Sequence, residues 1–162
     1  MSASSPYIDS MTAVRVADDD RLEEAFSVRQ RVFVEEQGVD EELEYDEHED
    51  EAVHFVVYED GSDDGQPIGA ARLREPADGV GKVERVAVLE SYRGTGVGRA
   101  LMDALESKAA STGLETLKLH AQTRAAGFYR GLEYERYGET FEEAGITHVA
   151  MKKSLEGDRT SK

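Results

Sequence analysis

From Arg93 to Gly98 the chain reads Arg-Gly-Thr-Gly-Val-Gly, a guanidinium followed by three alternating glycines. Glycine reaches backbone conformations closed to other residues and lets the main chain approach an anion closely. A helix that starts at such a turn adds outward N–H groups and the positive end of its dipole. The flanks fit this arrangement. Val83 to Leu89 is an extended, β-branched run, and from Val97 onward apolar residues fall at 97, 100, 101, 104, 105 and 109, one face of a helix. Strand, anion-binding turn and helix are therefore written in succession. Two common glycine loops are excluded. A P-loop needs Lys followed by Ser or Thr after its last glycine, and here Arg99 and Ala100 follow Gly98. A dinucleotide fingerprint, Gly-x-Gly-x-x-Gly, would place its third glycine at Arg99 or Leu101. What remains is Arg-x-x-Gly-x-Gly, carried by Arg93, Gly96 and Gly98.

That loop resembles the acetyl-CoA pyrophosphate loop of the GCN5-related N-acetyltransferases, the GNAT family, which reads Gln/Arg-x-x-Gly-x-Gly/Ala between a central strand and a helix. Arg85-Val86-Ala87-Val88 before the loop and Phe128-Tyr129-Arg130-Gly131-Leu132-Glu133-Tyr134 after it extend the resemblance to roughly residues 12 to 155. Arg29 to Val39 and Ala144 to His148 further resemble a branch of small prokaryotic members whose acceptors are mostly unassigned.

The resemblance implies an N-acetyltransferase that moves an acetyl group from acetyl-CoA to a primary amine by direct attack in a ternary complex. It places the cofactor on Arg93, Gly94, Thr95, Gly96, Val97, Gly98 and Arg99. The pantetheine arm would lie along the exposed backbone of Val86, Ala87 and Val88, with the Val86 N–H facing the thioester oxygen. Gln122 stands where many relatives carry a cofactor-contacting Asn. Glu84, two residues before Val86 and on the same face of a regular strand, is the implied base. Its structural alternative is a carboxylate paired with Lys82 or Arg85. Tyr129 is the implied acid toward the leaving thiolate, or else a core aromatic.

Other residues stand beside these. Asp18-Asp19-Asp20 can cap a helix running to about Val34, with Leu22, Ala25, Phe26 and Phe33 on its apolar face. Arg29 falls on that face, so it is either a structural ion pair or, with Phe33, part of the acceptor site. His120 and His148 lie near the expected cleft and can line an acceptor pocket; His54 is the weaker candidate. The acidic run Asp40 to Glu51 holds His48, and its plainest reading is a solvated loop rather than a metal site.

Positioning these residues requires a sheet. Strands are expected over 12–16, 52–59, 67–74, 81–89, 117–121, 134–141 and 148–153, with turns at Gly61 to Gly65 and Gly145. Helices are expected over 18–34, from Val97 to a stop at Gly113, and over 123–130. The order is that of the GNAT fold, an α/β (α+β) mixed central sheet of about six to seven strands flanked by helices, with acetyl-CoA between splayed central strands. One domain over 12–155 with flexible tails at 1–11 and 156–162 is expected.

The 162 residues include 35 Asp and Glu against 19 Lys and Arg, a net charge of -16, and no cysteine. Absent cysteine removes thiolate nucleophiles, disulfides and Cys-based metal sites. The charge repels nucleic acid and resembles proteins of salt-loving organisms, in which salt screens self-repulsion. No apolar run is long enough for a membrane span and no basic, apolar leader is visible, so a cytoplasmic location is expected. The expected acceptor is a small-molecule amine or a protein amino group, with no metal, nucleic acid or membrane, and a homodimer is allowed. The competing reading is a non-catalytic acyl-CoA-binding sensor or regulatory module.

Overall fold

The computed structural model describes residues 14–17, 22–39, 52–59 and 66–155. The Asp18-Asp19-Asp20 cap, the acidic run with His48, the turn at 61–65 and both tails lie outside the described residues.

Seven strands form one sheet: β1 (Val14–Ala17), β2 (Val53–Tyr58), β3 (Pro67–Ala77), β4 (Val80–Val88), β5 (Thr116–Gln122), β6 (Glu135–Glu143) and β7 (Ile146–Ser154). Their order is β1-β2-β3-β4-β5-β7-β6. Every neighbouring pair is antiparallel except β4 and β5. Among the described residues three α-helices accompany the sheet: α1 (Leu22–Arg29), α2 (Val97–Ser111) and α3 (Ala126–Gly131). The apolar periodicity of α2 does what it predicts. Val97, Ala100, Leu101, Leu105 and Ala109 are buried, and Met102 joins them. The core runs from Phe55 to Tyr58 on β2 through Ile68 and Leu73 on β3 to Leu117 and Leu119 on β5.

Three departures from the sequence expectations shape the site. The helix expected to reach Val34 in one conformation changes at Arg29: Gln30–Glu36 is a π-helix. Its wider i→i+5 turns rotate the later residues relative to those before them. Arg29 and Phe33 then part company. Arg29 is buried, its guanidinium 5.0 Å from the centre of the Phe26 ring, whereas Phe33 faces a cleft.

The strands expected to end at Arg74 and begin at Gly81 instead run on to a two-residue turn at Asp78-Gly79, with Ala77 opposite Val80. Asp-Gly is a strong hairpin signal that the strand boundaries had overlooked.

β4 is also irregular. Ala70 pairs with Ala87 and Arg72 with Glu84, so one residue of β3 faces two of β4, with Arg85 at φ +57. This is a β-bulge, which bends the strand and re-aims its side chains. Simple alternation no longer holds between Glu84 and Val86. Glu84, Arg85 and Val86 all line the cleft.

The bend has a consequence for pairing. β4 and β5 are in register from Val80↔Thr116 to Val83↔Leu119. Beyond that rung β5 continues beside β7 as far as Gln122↔His148, while β4 continues beside β3. The two central strands fork.

Candidate active site

The fork opens into a cleft of about 850 Å³. One wall is β4, with Val86, Ala87 and Val88. The loop after β4 closes one end, where Arg93, Gly94, Gly96, Gly98 and Arg99 reach the surface of the cleft. The far wall carries His120, Gln122 and Tyr129, and the β6–β7 hairpin contributes Glu143 and His148. Two of the implied cofactor residues stand back from the wall. Val97 is buried in the core, and the Thr95 hydroxyl donates to the Tyr92 carbonyl. Arg29, too, is not on the cleft wall.

The loop has the geometry its glycines allow. Gly94 lies at φ +81 and Gly96 at φ +96, where a side chain is strained. Gly96 is the N-cap of α2 and has no side-chain cap, so the first N–H groups of a 15-residue helix are left to a ligand. Gly98 brings the helix against Phe128, whose Cζ would lie 3.3 Å from an added Cβ. These features suit a pyrophosphate.

Arg93 behaves differently from a simple anion cap. Its Nη1 and Nη2 each donate to Glu36 at 2.7 Å, and its Nε donates to the Val88 carbonyl at 2.9 Å. The hydrogen bond from Arg93 holds the Glu36 carboxyl below its usual range. The guanidinium thus ties the glycine loop to the end of the π-helix. Gln122 makes a parallel tie: its Nε2 donates to Gln37 Oε1 at 2.8 Å, and its own Oε1 accepts from Arg124 Nε at 3.1 Å.

Glu84 sits at the fork in a cationic cage. Its Oε1 accepts from Arg72 Nη2 at 2.6 Å and from Arg74 Nε at 3.0 Å, and Lys82 Nζ is 3.6 Å from Oε2. Burial raises its pKa, but the Arg72 charge and the hydrogen bonds from both arginines outweigh it, and the carboxyl is held below its usual range. Its partners are mainly Arg72 and Arg74 rather than the Lys82 or Arg85 considered from sequence.

Tyr129 is buried between Phe128 and Tyr134, with ring centres at 5.0 and 5.9 Å. Burial pushes its hydroxyl well above the ordinary phenol range, so it keeps its proton. His148 is buried, with Nδ1 2.7 Å from the Ile146 carbonyl, and stacks on Phe141. His120 Nδ1 lies 2.9 Å from Glu143 Oε1. His54 is buried edge-on to Phe26 and is not on the cleft wall.

Several lining residues had not been singled out. Arg124 and Glu143 carry no motif of their own, and only their place beside β5 and in the β6–β7 hairpin brings them in. Phe128 was visible as part of the Phe-Tyr pair. Together the lining charges are Lys82, Arg85, Arg93, Arg99 and Arg124 against Glu84 and Glu143. The cleft carries cations in excess inside a chain of net charge -16, a balance that suits an anionic ligand.

Known proteins resemble this chain in sequence and in fold. Residues 15–155 match the family model of the acetyltransferase (GNAT) domain. YjcF of Bacillus subtilis, an uncharacterized N-acetyltransferase, is 46% identical over 144 residues, which cover 88% of this chain and 99% of that one. A crystal structure from Lactobacillus plantarum, described as a candidate N-acetyltransferase, superposes with a TM-score of 0.80 at 32% identity, covering 88% and 99% of the two chains. A Bacillus subtilis acetyltransferase solved in complex with CoA shares the fold, with a TM-score of 0.65 at 16% identity and coverage of 88% and 98%.

Proposed function

This chain belongs to the GNAT acetyltransferase family, and from that premise we propose that it transfers acetyl from acetyl-CoA to a primary amine by direct attack in a ternary complex. The observation that carries the proposal is the fork: β4 leaves β5 after Val83↔Leu119, and the open backbone from Val86 to Val88 leads directly to the glycine loop.

The residues fit the donor. Helix N–H groups at Gly96 to Gly98, with Arg99 and Arg124 on the same cleft, suit the phosphates. Arg93 shapes the loop through Glu36 and Val88. The Val86 N–H would face the thioester oxygen and oppose the charge that develops there. The amine nitrogen attacks the thioester carbon, a C–N bond forms, the C–S bond breaks, and the thiolate leaves with CoA.

Tyr129 supplies a protonated hydroxyl on the cleft wall, suited to the departing thiolate. Glu84 is a poor proton acceptor, because three cations stabilise its ionised form. Its role in this reading is to hold Arg72 and Arg74 and so fix the bend of β4. Phe33 and His148 line the acceptor end.

Release of free CoA thiol from acetyl-CoA across a panel of small amines, amino sugars and peptides tests the proposal. It should be run in low and in molar salt. Thiol release that depends on an amine is expected. Saturable acetyl-CoA binding with no release for any amine would instead identify an acyl-CoA sensor.

A further inference from the structure

Resting on that acetyltransferase reading, we propose that His120, oriented by Glu143, takes the proton from the acceptor ammonium. An alkyl ammonium is mostly protonated near neutral pH and cannot attack until it loses a proton. The reaction therefore needs a proton acceptor beside the fork.

His120 is placed for this. The last rung between the central strands is Val83↔Leu119, so Glu84 and His120 are the first residues beyond it, one on each lip of the fork. Both line the cleft. His120 Nδ1 is 2.9 Å from Glu143 Oε1. An ionised carboxylate only accepts, so the ring must donate from Nδ1, which leaves the Nε2 lone pair as the base. The Phe141 ring lies edge-on at 4.9 Å and limits rotation of the imidazole. A third of the His120 side chain is exposed, which opens a route for the proton to solvent.

The charged and titratable groups that share the cleft with His120 are Lys82, Glu84 and Arg85 on β4, Arg93 in the glycine loop, Arg99 on α2, Arg124 and Tyr129 after β5, Glu143 on β6 and His148 on β7, and Lys118 lies two residues before it on β5. Among these, two rivals fail for physical reasons. Glu84 is neutralised by Arg72, Arg74 and Lys82. His148 is buried, with its Nδ1 on the Ile146 carbonyl, away from the solvent that would carry a proton off. Of the two cleft histidines, His120 is the one whose ring is held by a carboxylate. One ammonium proton passes to His120 Nε2 and on to solvent. The second leaves the nitrogen as the C–N bond forms, and the thiolate takes up a proton as the C–S bond breaks, so the balance closes.

The test uses the full chain, acetyl-CoA and two probes: the alkyl amine that gives the fastest thiol release with the wild type, and 2,2,2-trifluoroethylamine, which is unprotonated at neutral pH. For the alkyl amine, His120→Gln should lower kcat/KM by about 10²–10⁴ and remove the fall in rate on the acid side of the imidazole range. Glu143→Gln should lower it less and keep that acid limb. With trifluoroethylamine the His120→Gln defect should largely disappear, which mere loss of packing would not produce. Unchanged acetyl-CoA affinity and melting temperature confirm that the variants fold. Nitrogen-15 NMR gives a readout without any acceptor: the neutral His120 ring should carry its proton on Nδ1, and Glu143→Ala should move it toward Nε2. A His120→Gln enzyme with the wild-type pH profile, or a wild-type ring protonated on Nε2, overturns the proposal. If the wild type releases no thiol with any amine, the parent reading falls, and the NMR result alone decides the fate of the His120–Glu143 pair.

Discussion

At the residue scale, the site's chemistry follows from how each side chain's charge is held. Tyr129 keeps its proton because burial penalises the phenolate. Tyr129→Phe should retain the fold and the ring packing but lower turnover by roughly 10²–10⁴, and the wild type should show no alkaline loss from this group below the ordinary tyrosine range. A pH–rate profile of both enzymes checks this. Glu84 is the opposite case, a carboxyl held below its ordinary value of 4.5. Its contribution to stability is therefore complete above about pH 4.5 and is lost as pH falls through the lower folded value. Glu84→Gln removes one charged partner of fully buried Arg72 and should destabilise the fold by up to roughly 3 kcal/mol, with a flatter acid-unfolding curve. If Glu84 fixes geometry rather than accepting the proton, the activity lost in that variant should be nearly independent of pH. A defect that shrinks as the amine deprotonates itself would return the base role to Glu84. The sequence made Glu84 and Tyr129 visible, through their places before and after the glycine loop. It could not show Arg72 and Arg74 closing on Glu84, because those pairs depend on strand register.

At the element scale, periodic features were legible and local irregularities were not. The apolar face of α2, the strand–turn–helix around Gly96 and the succession of strands and helices along the chain follow from spacing and from turn residues, whereas the sheet they build was implied by the family resemblance. The π-helix at Gln30–Glu36 and the bulge at Arg85 do not. Each is decided by tertiary fit, and no residue type marks it in advance. Those two irregularities separate Arg29 from the cleft and bring Glu84, Arg85 and Val86 onto its wall together. The glycine loop is the element whose failure is easiest to read. Gly96→Leu forces a branched side chain to φ +96, at a cost of about 1–3 kcal/mol, and fills the place where an anion would approach. Calorimetry should show acetyl-CoA binding lost while thermal melting still reports a folded domain. Unchanged affinity would remove the loop from the site.

At the scale of the whole molecule, a chain of net charge -16 holds a cleft whose lining charges are mainly cationic. Self-repulsion at a net charge of -16 weakens the compact state, and salt screens it. The melting temperature should therefore rise between dilute buffer and molar KCl by at least about 3 °C, the shift that roughly 1 kcal/mol produces in a chain of this size. A flat response would remove the halophilic reading. Among the described residues no helix is long and apolar enough to cross a membrane. The proposed reaction passes acetyl directly from acetyl-CoA to an amine in the fork between β4 and β5. A single-turnover experiment with acetyl-labelled acetyl-CoA, quenched with and without the amine, tests it most directly. Direct transfer predicts label on the amine, none bound covalently to the protein at any time, and no transfer by Gly96→Leu. Label that appears first on the protein, or that never reaches an amine despite saturating acetyl-CoA, would contradict it.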